Sequence, residues 1–166
     1  MLVGGGSRSG KSRFAIEYAR RQALPLAFIA TAEARDEEMR ARVAAHQAER
    51  GPEFRTFEEP RNPARSIEEV GDRFGAIVVD CLTLWLSNLL LDGVPDISRE
   101  TATLFRVAAE SPATVLLVTN EVGCGIVPEN ALARRFRDLA GSMNQQAATA
   151  AHEVYWMVFG VPMRVK

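Results

Sequence analysis

Apolar and polar residues follow one another in short blocks along the chain, and the blocks alternate between two kinds. Short apolar runs with many β-branched and aromatic residues are typical of strands, and helix-like stretches lie between them. The predicted strands cover residues 2–4, 26–30, 54–58, 76–80, 114–119, 154–159 and 163–165. The predicted helices cover residues 11–22, 35–50, 67–74, 82–91, 99–109 and 129–151.

This alternation predicts an α/β fold with three layers, in which helices cover both faces of a mostly parallel central sheet of about seven strands. The runs AIVVD (76–80) and TVLLVT (114–119) are continuously apolar, as central parallel strands should be. The last two strands follow each other closely and predict an antiparallel hairpin at the C-terminal end. A length of 166 residues fits one domain with a single core, so residues 1–166 are expected to form one domain.

A glycine-rich segment, GGSRSGKS, connects the first predicted strand to the first helix. It matches G-x-x-x-x-G-K-[ST], the phosphate-binding loop, and its strand–loop–helix context makes the fold class a P-loop NTPase type. Backbone N–H groups of such a loop point at an anion, the lysine reaches the β- and γ-phosphates, and the serine hydroxyl binds Mg²⁺. The predicted phosphate-binding residues are Gly5, Gly6, Ser7, Arg8, Ser9, Gly10, Lys11 and Ser12.

Two carboxylates follow central strands and are expected to face the same cleft, because ligands of open α/β sheets bind at the carboxyl ends of strands. Asp80 ends an apolar strand, and this is the position of an acid that binds Mg²⁺ opposite Ser12. A helix N-cap is the other interpretation of Asp80. Glu121 follows the next central strand. It either orients a nucleophile or only stabilises a turn or caps a helix.

Of the two histidines, His46 is the candidate nucleophile. It shares a predicted helix face with Met39 and Val43, so it faces inward, and it is either a core residue or an imidazole that attacks phosphorus. Periodicity does not decide between these two. His152 lies near the end of the last predicted helix and is interpreted as structural or exposed.

Charge, cysteine content and hydropathy argue against several classes of protein. The net charge is −1 and no basic stripe occurs, so nucleic acid is not an expected partner. Cys81 and Cys124 are far apart and form no metal-binding pattern, which is typical of a reduced, cytoplasmic protein. The phosphate loop starts so early that no signal peptide is expected. The apolar run at 82–91 is too short to span a bilayer, and we interpret it as a core helix or a subunit contact.

Five segments, in this order, resemble the bifunctional adenosylcobinamide kinase / adenosylcobinamide-phosphate guanylyltransferase family. They are GGSRSGKS, FIATAEARDEEMRARVAAHQAERG, RTFEEP, VVDCLTLWLSNLL and LVTNEVGCGIVPENALARRFRDLAGSMNQ. The likeness covers nearly the whole chain. The H-x-x-x-R segment that ends at Arg50 and the TNEVG-x-GIVPEN segment are more specific than the phosphate loop.

The resemblance implies an enzyme that phosphorylates adenosylcobinamide with ATP or GTP and then transfers GMP from GTP to that phosphate. It implies a guanylyl-histidine intermediate, and the matching position is His46. Lys11 and Glu121 are the other candidate catalytic residues, Glu121 as a hypothesis from the residues alone. The resemblance further implies a cytoplasmic homotrimer. The implied nucleotide contacts outside the phosphate loop are Ala30, Thr31, Ala32, Gln47, Ala48, Glu49, Arg50, Glu58 and Asp80.

Two other functions are compatible with the phosphate loop. A small-molecule kinase without a covalent intermediate needs Lys11, Ser12 and Asp80 but has no use for His46. A regulatory GTPase or an assembly ATPase needs no small-molecule acceptor. A regulatory GTPase recognises guanine with an N-K-x-D motif. The sequence lacks this motif, and the segment TNEV at residues 119–122 does not supply it.

Overall fold

The computed structural model describes residues 1–33, 37 and 50–166, and within them it gives bounds for seven strands and five helices. The strands are β1 Leu2–Gly5, β2 Leu26–Ala30, β3 Phe54–Glu58, β4 Ala76–Asp80, β5 Thr114–Val118, β6 Val154–Val158 and β7 Val161–Arg164. The helices are α1 Lys11–Ala19, α2 Pro63–Val70, α3 Leu82–Leu91, α4 Ile97–Glu110 and α5 Ala131–Ala150. The predicted helix at 35–50 falls on a segment of which only Glu37 and Arg50 are described.

The strands form one sheet in the order β3-β2-β4-β5-β1-β6-β7. Every neighbouring pair is parallel except β6 and β7, which form the antiparallel hairpin. The register pairs Ala30 with Asp80 and Asp80 with Val118, so β2, β4 and β5 end at the same level of the sheet. The predicted fold class, a mostly parallel sheet of seven strands with a C-terminal hairpin, is confirmed.

Buried side chains from alternate strand positions form two apolar clusters, one on each face of the sheet. Val78 belongs to the cluster that includes Ala15, Ile16 and Ala19 of α1. Its neighbours Ile77 and Val79 belong to the cluster on the other face, which includes side chains from α2, α3, α4 and α5. Burial on both faces explains why the central strands are continuously apolar.

The predicted start of α2 is wrong by four residues. The residues 60–66 have the composition of a loop, yet the helix begins at Pro63. Asn62 caps it, because its side-chain oxygen accepts a hydrogen bond of 3.1 Å from the backbone N–H of Arg65. Proline suits the first helical position, where its missing N–H has no partner to lose. An Asn-Pro pair therefore starts a helix here instead of interrupting one.

The hairpin turn also differs from the prediction. The expected turn at residues 160–162 would start the last strand at 163, but β7 starts at Val161. The turn consists of Phe159 and Gly160, whose φ angles are 51° and 84°. Phenylalanine is a poor marker of this backbone conformation, so the sequence concealed the turn.

α3, the most apolar helix, packs in the core: Trp85 and Leu86 are 1% and 0% exposed. This agrees with the first of the two interpretations of the run at 82–91. Within the described residues, no helix has the length and apolar character needed to cross a membrane.

Candidate active site

The phosphate-binding loop connects the end of β1 to Lys11, the first residue of α1. Two of its glycines are required by the backbone. Gly5 has a φ of 152°, and a Cβ on it would lie 2.8 Å from the Ser9 hydroxyl oxygen, which is too close. Gly10 caps α1 in the left-handed region, with a φ of 91°. The loop can therefore turn tightly and present the N-terminus of α1 to an anion.

The ammonium of Lys11 lies inside this loop. Its Nζ donates a hydrogen bond of 2.5 Å to the carbonyl of Gly6 and lies 3.4 Å from the Ser9 hydroxyl. The residue is only 6% exposed. A buried positive charge next to a helix N-terminus produces a strong local preference for an anion.

The end of β4 is anchored to the end of β2 through Thr31. The hydroxyl of Thr31 accepts a hydrogen bond of 2.7 Å from the backbone N–H of Cys81 and donates one of 2.8 Å to its carbonyl. Asn88 of α3 donates to the carbonyls of Thr31 (2.9 Å) and Pro60 (3.0 Å). These buried bonds set the position of Asp80, which precedes Cys81 and faces the cavity.

Replacing Thr31 with valine is expected to lower the free energy of unfolding by about 1–3 kcal/mol. The shape is retained, but the N–H and carbonyl of Cys81 lose their buried partner. Urea denaturation measures the change. Thr103→Val is the matched control, because the hydroxyl of Thr103 donates to the carbonyl of Arg99 within its own helix and does not connect two segments of the chain. Equal stability of Thr31→Val and the wild type would contradict this role.

Cys81 itself is not a reactive thiol. Burial raises its pKa to about 11, because the thiolate would lose its hydration. Its sulfur contacts the Thr83 hydroxyl at 3.2 Å. Both cysteines are free, and Cys124 is exposed.

Arg50 provides a second buried cation. The central carbon of its guanidinium lies 3.5 Å from the centre of the Phe28 ring, and the residue is 5% exposed. Its Nε has no hydrogen-bond partner among the described residues. Burial lowers its pKa, and the negative charges of Asp80 and Glu58 oppose that shift. A desolvated guanidinium beside a cavity is well suited to bind an anionic ligand.

The chain after β5 is held by side-chain amides. Asn144 of α5 accepts a hydrogen bond of 2.7 Å from the Thr119 hydroxyl and donates one of 3.2 Å to the carbonyl of Asn120. The amide of Asn120 donates to the Thr83 hydroxyl at 2.8 Å. The backbone N–H of Glu121 donates to the carbonyl of Gly5 at 3.1 Å. The start of this loop is therefore fixed to both α3 and the phosphate-binding loop.

One cavity of about 1020 Å³ unites these parts. The three polar segments that the sequence expects to converge, the phosphate-binding loop, Asp80 and the chain after β5, all contribute to it. Its lining includes Ser7, Arg8, Ser9, Gly10, Lys11, Ser12, Ala30, Ala32, Arg50, Asp80, Asn120, Glu121, Val122, Phe159 and Gly160. A second depression of about 590 Å³ lies between α4 and α5, on the other face of the sheet, and contains none of the predicted site residues.

The sequence model of the family described as "Cobinamide kinase / cobinamide phosphate guanyltransferase" matches residues 1–165. The chain belongs to this family. It is 42% identical over 166 residues to the bifunctional adenosylcobalamin biosynthesis protein CobP of Pseudomonas aeruginosa, covering 99% of this chain and 96% of that protein. It is 39% identical to CobU of Escherichia coli and 42% identical to CobU of Salmonella typhimurium, with 100% of this chain and 99% of each relative covered.

These findings confirm the predicted family and the predicted enzyme class, a cobinamide kinase and guanylyltransferase. A solved structure with the same fold is a prototypical ATPase from the type III secretion system of pathogenic bacteria. Its TM-score is 0.55 at 12% identity, over 95% of this chain and half of the ATPase chain. This likeness concerns the fold alone, and it agrees with the predicted P-loop NTPase type.

The implied contact residues of the family have different places in the structure. Ala30 and Ala32 line the cavity, whereas Thr31 is sealed behind it with 0% exposure. Glu58 is exposed and does not line the cavity, although its charge acts on Arg50. Gly5 and Gly6 shape the loop without lining the cavity. His46, Gln47, Ala48 and Glu49 lie outside the described residues.

Sequence reasoning missed several residues that line the cavity, namely Arg13, Ile16, Glu17, Arg20, Phe28, Cys81, Leu84, Phe159 and Gly160. Ile16, Glu17 and Arg20 lie on one flank of α1, at the spacing of a single helix face, and this spacing is a signal that could have been used. Phe28 belongs to a buried strand, and the sequence contains no sign that its ring faces Arg50.

Proposed function

We propose that the chain performs two successive transfers on one acceptor, adenosylcobinamide. In the first, the γ-phosphoryl group of ATP or GTP passes to the acceptor hydroxyl. In the second, GMP passes from GTP to the new phosphate, and pyrophosphate is released. The observation that carries the proposal is the convergence of Lys11, Asp80 and Arg50 on one cavity in a member of this family.

In the first step the acceptor hydroxyl oxygen bonds to the γ-phosphorus, and the bond to the β–γ bridging oxygen breaks. The nucleoside diphosphate takes the electron pair, and the proton of the hydroxyl passes to water. Lys11 and the loop N–H groups stabilise the charge that grows on the leaving diphosphate. The chain needs no nucleophile of its own here, because positioning supplies most of the catalysis in phosphoryl transfer.

Mg²⁺ fits the residues of this site. No cluster of three His, Cys, Asp or Glu side chains occurs in the described part of the chain, and Mg²⁺ characteristically binds one or two protein oxygens together with phosphates and waters. The hydroxyl of Ser12 and the carboxylate of Asp80, which both line the cavity, would hold it. When bound, Mg²⁺ supplies charge neutralisation of the phosphates.

Glu121 positions the acceptor hydroxyl in this proposal. It lines the cavity, and one carboxylate oxygen accepts a hydrogen bond from the N–H of Gly123, which leaves the other oxygen available to a substrate. Glu121→Gln is expected to lower the kinase turnover about 10²-fold. Steady-state phosphorylation of the acceptor measures this. The exposed Glu129 is the control site for the same substitution, and an unchanged rate in Glu121→Gln would remove this role.

In the second step His46 is the nucleophile. An imidazole nitrogen bonds to the α-phosphorus of GTP, the bond to the α–β bridging oxygen breaks, and pyrophosphate leaves. The phosphate oxygen of the acceptor then bonds to the same phosphorus, and the phosphorus–nitrogen bond breaks. Dividing the transfer between two displacements is the usual advantage of covalent catalysis.

Arg50 supports this assignment. It lies four residues after His46, and four residues span at most about 14 Å. Arg50 lines the cavity, and the positive charge of its guanidinium suits the negative charge on the α-phosphate. Gln47, Ala48 and Glu49 belong to the same proposal as nucleotide contacts, together with Ala30 and Ala32. Thr31 and Glu58, which do not line the cavity, act on the site through Cys81 and Arg50.

Product analysis tests the assignment. The protein is incubated with adenosylcobinamide, Mg²⁺ and ATP, and GTP is added afterwards. The proposal expects a phosphorylated product first, and then a GDP-linked product with one pyrophosphate released per acceptor. Phosphorylation that never proceeds to the GDP-linked product would instead establish a plain kinase.

We further propose that the protein is cytoplasmic and that its active form is a homotrimer. Sedimentation equilibrium tests the trimer.

A further inference from the structure

Phe159 occupies an unusual place in the fold. It is the first residue of the two-residue turn between β6 and β7, with a φ of 51°, and Gly160 follows with a φ of 84°. Such turns strongly favour Asn-Gly, because a bulky side chain is strained in the left-handed region. The Phe159 side chain is 99% exposed, so it gains no core packing in return. Neither turn preference nor burial explains a phenylalanine here.

The hairpin tip lies against the phosphate-binding loop. A Cβ placed on Gly10 would lie 3.5 Å from the Cα of Gly160 and 3.6 Å from a guanidinium nitrogen of Arg13. Phe159 and Gly160 both line the cavity that contains Lys11. An exposed aromatic ring therefore stands at the mouth of the nucleotide cavity, beside the start of α1.

This end of the cavity is opposite the end at which Arg50 lies. Arg50 packs on Phe28 of β2, whereas Phe159 follows β6, and the sheet order places β4, β5 and β1 between these two strands. Strands in a sheet are about 4.8 Å apart, so the two ends are separated by about 19 Å. The phosphate-binding loop, which follows β1, lies between them.

Two transfers on one acceptor require two different phosphorus atoms to reach it. In the second step of the proposed function the α-phosphate lies at the Arg50 end of the cavity, so the nucleoside lies toward β2. In the first step the γ-phosphorus must face the acceptor. A nucleotide bound in the reverse direction along the same loop presents its γ-phosphate at the end where the other presents its α-phosphate. The acceptor then has to withdraw only by the length of the phosphate that it has gained.

We propose that the ring of Phe159 is a stacking platform for the purine base of the phosphoryl donor, at a second base position used only in the kinase step. This proposal rests on the proposed two-step function. Stacking on an aromatic face tolerates any base, because every base has a π-face. A donor held in this way can be ATP or GTP, while the β2 end serves the GTP whose GMP is transferred.

Phe159→Asn separates this role from a structural one. Asparagine suits the left-handed turn position, so the variant keeps or raises the melting temperature while it removes the ring. The KM for ATP in acceptor phosphorylation is expected to rise about tenfold, because one base–aromatic stacking contact is lost, and kcat is expected to change little. Phe159→Trp is expected to restore the KM. The GTP concentration that half-saturates histidine guanylylation, measured without acceptor, is expected to stay at the wild-type value.

Val161→Ala is the matched control on the same hairpin, since Val161 is 65% exposed and does not line the cavity. An unchanged KM for ATP in Phe159→Asn overturns the second base position. So does an equal rise in the GTP requirement for guanylylation, which would indicate one base position for both steps. A rise in KM in both Phe159→Asn and Val161→Ala, with a smaller sedimenting species, would assign the hairpin to contacts between copies instead. Failure of the wild-type protein to form any histidine adduct refutes the proposed function separately.

Discussion

Lys11→Ala is expected to lose both transfers, with kcat/KM for each reduced by about 10²–10³. One phosphate-binding loop serves both steps. Lys11 is 6% exposed, and its ammonium inside that loop stabilises the leaving diphosphate in the first step and the leaving pyrophosphate in the second. Acceptor phosphorylation and pyrophosphate release from GTP measure the two effects independently.

Lys166→Ala is the control for that change. Lys166 is the only other lysine of the chain, and its exposed ammonium donates to the carbonyls of Ala148 and Thr149, far along the sequence from the loop. The Lys166→Ala variant is expected to keep the wild-type rates of both transfers. Thermal unfolding of both variants shows whether the loop still folds. If Lys11→Ala lost phosphorylation and kept guanylylation, the shared loop would be refuted.

His46→Ala is expected to divide the two activities. Without the imidazole no covalent intermediate forms, so GMP transfer should fall by about 10³-fold or more, while acceptor phosphorylation is largely retained. His152→Ala is the matched control, because His152 is the other histidine and is exposed. Each variant is assayed for phosphorylated acceptor with ATP and, separately, for the GDP-linked product with pre-phosphorylated acceptor and GTP.

Two outcomes of the His46 experiment contradict the account. Loss of phosphorylation as well as guanylylation, in a variant with a normal melting temperature, would place His46 in the kinase step. Retention of guanylyl transfer would mean direct displacement by the acceptor phosphate, without a protein nucleophile.

Much of the fold could be predicted because its central strands are buried on both faces. Residues 76–80 were predicted with the bounds of β4, and 114–119 differ from β5 by one residue. The errors occurred where a short segment is compatible with two structures. An Asn-Pro pair such as Asn62-Pro63 can begin a helix or lie in a loop, and only the packing of α2 decides between them. The turn at Phe159 contains no residue that marks a left-handed conformation in advance.

Site residues could be predicted where a local sequence motif indicates their function, and could not be predicted where segments distant in sequence come into contact. Lys11 and Asp80 follow from the loop pattern and from an acid at the end of an apolar strand. The bonds from Thr31 to Cys81 join residues 50 apart in sequence, and the bond from Asn88 to Thr31 joins residues 57 apart. No spacing rule reveals such contacts. The packing of Arg50 on Phe28 likewise depends on the sheet order, which brings residues near β2 and β3 to the nucleotide cavity.

Labelling with radioactive GTP tests the central claim, the covalent histidine, most directly. The protein is incubated with Mg²⁺ and GTP carrying the label at either the α- or the γ-phosphate, then denatured and digested. Label is expected from the α-position only, stable in base and released by acid, on the peptide that contains His46. An absence of protein-bound α-label, or α-label on a peptide without His46, would contradict it.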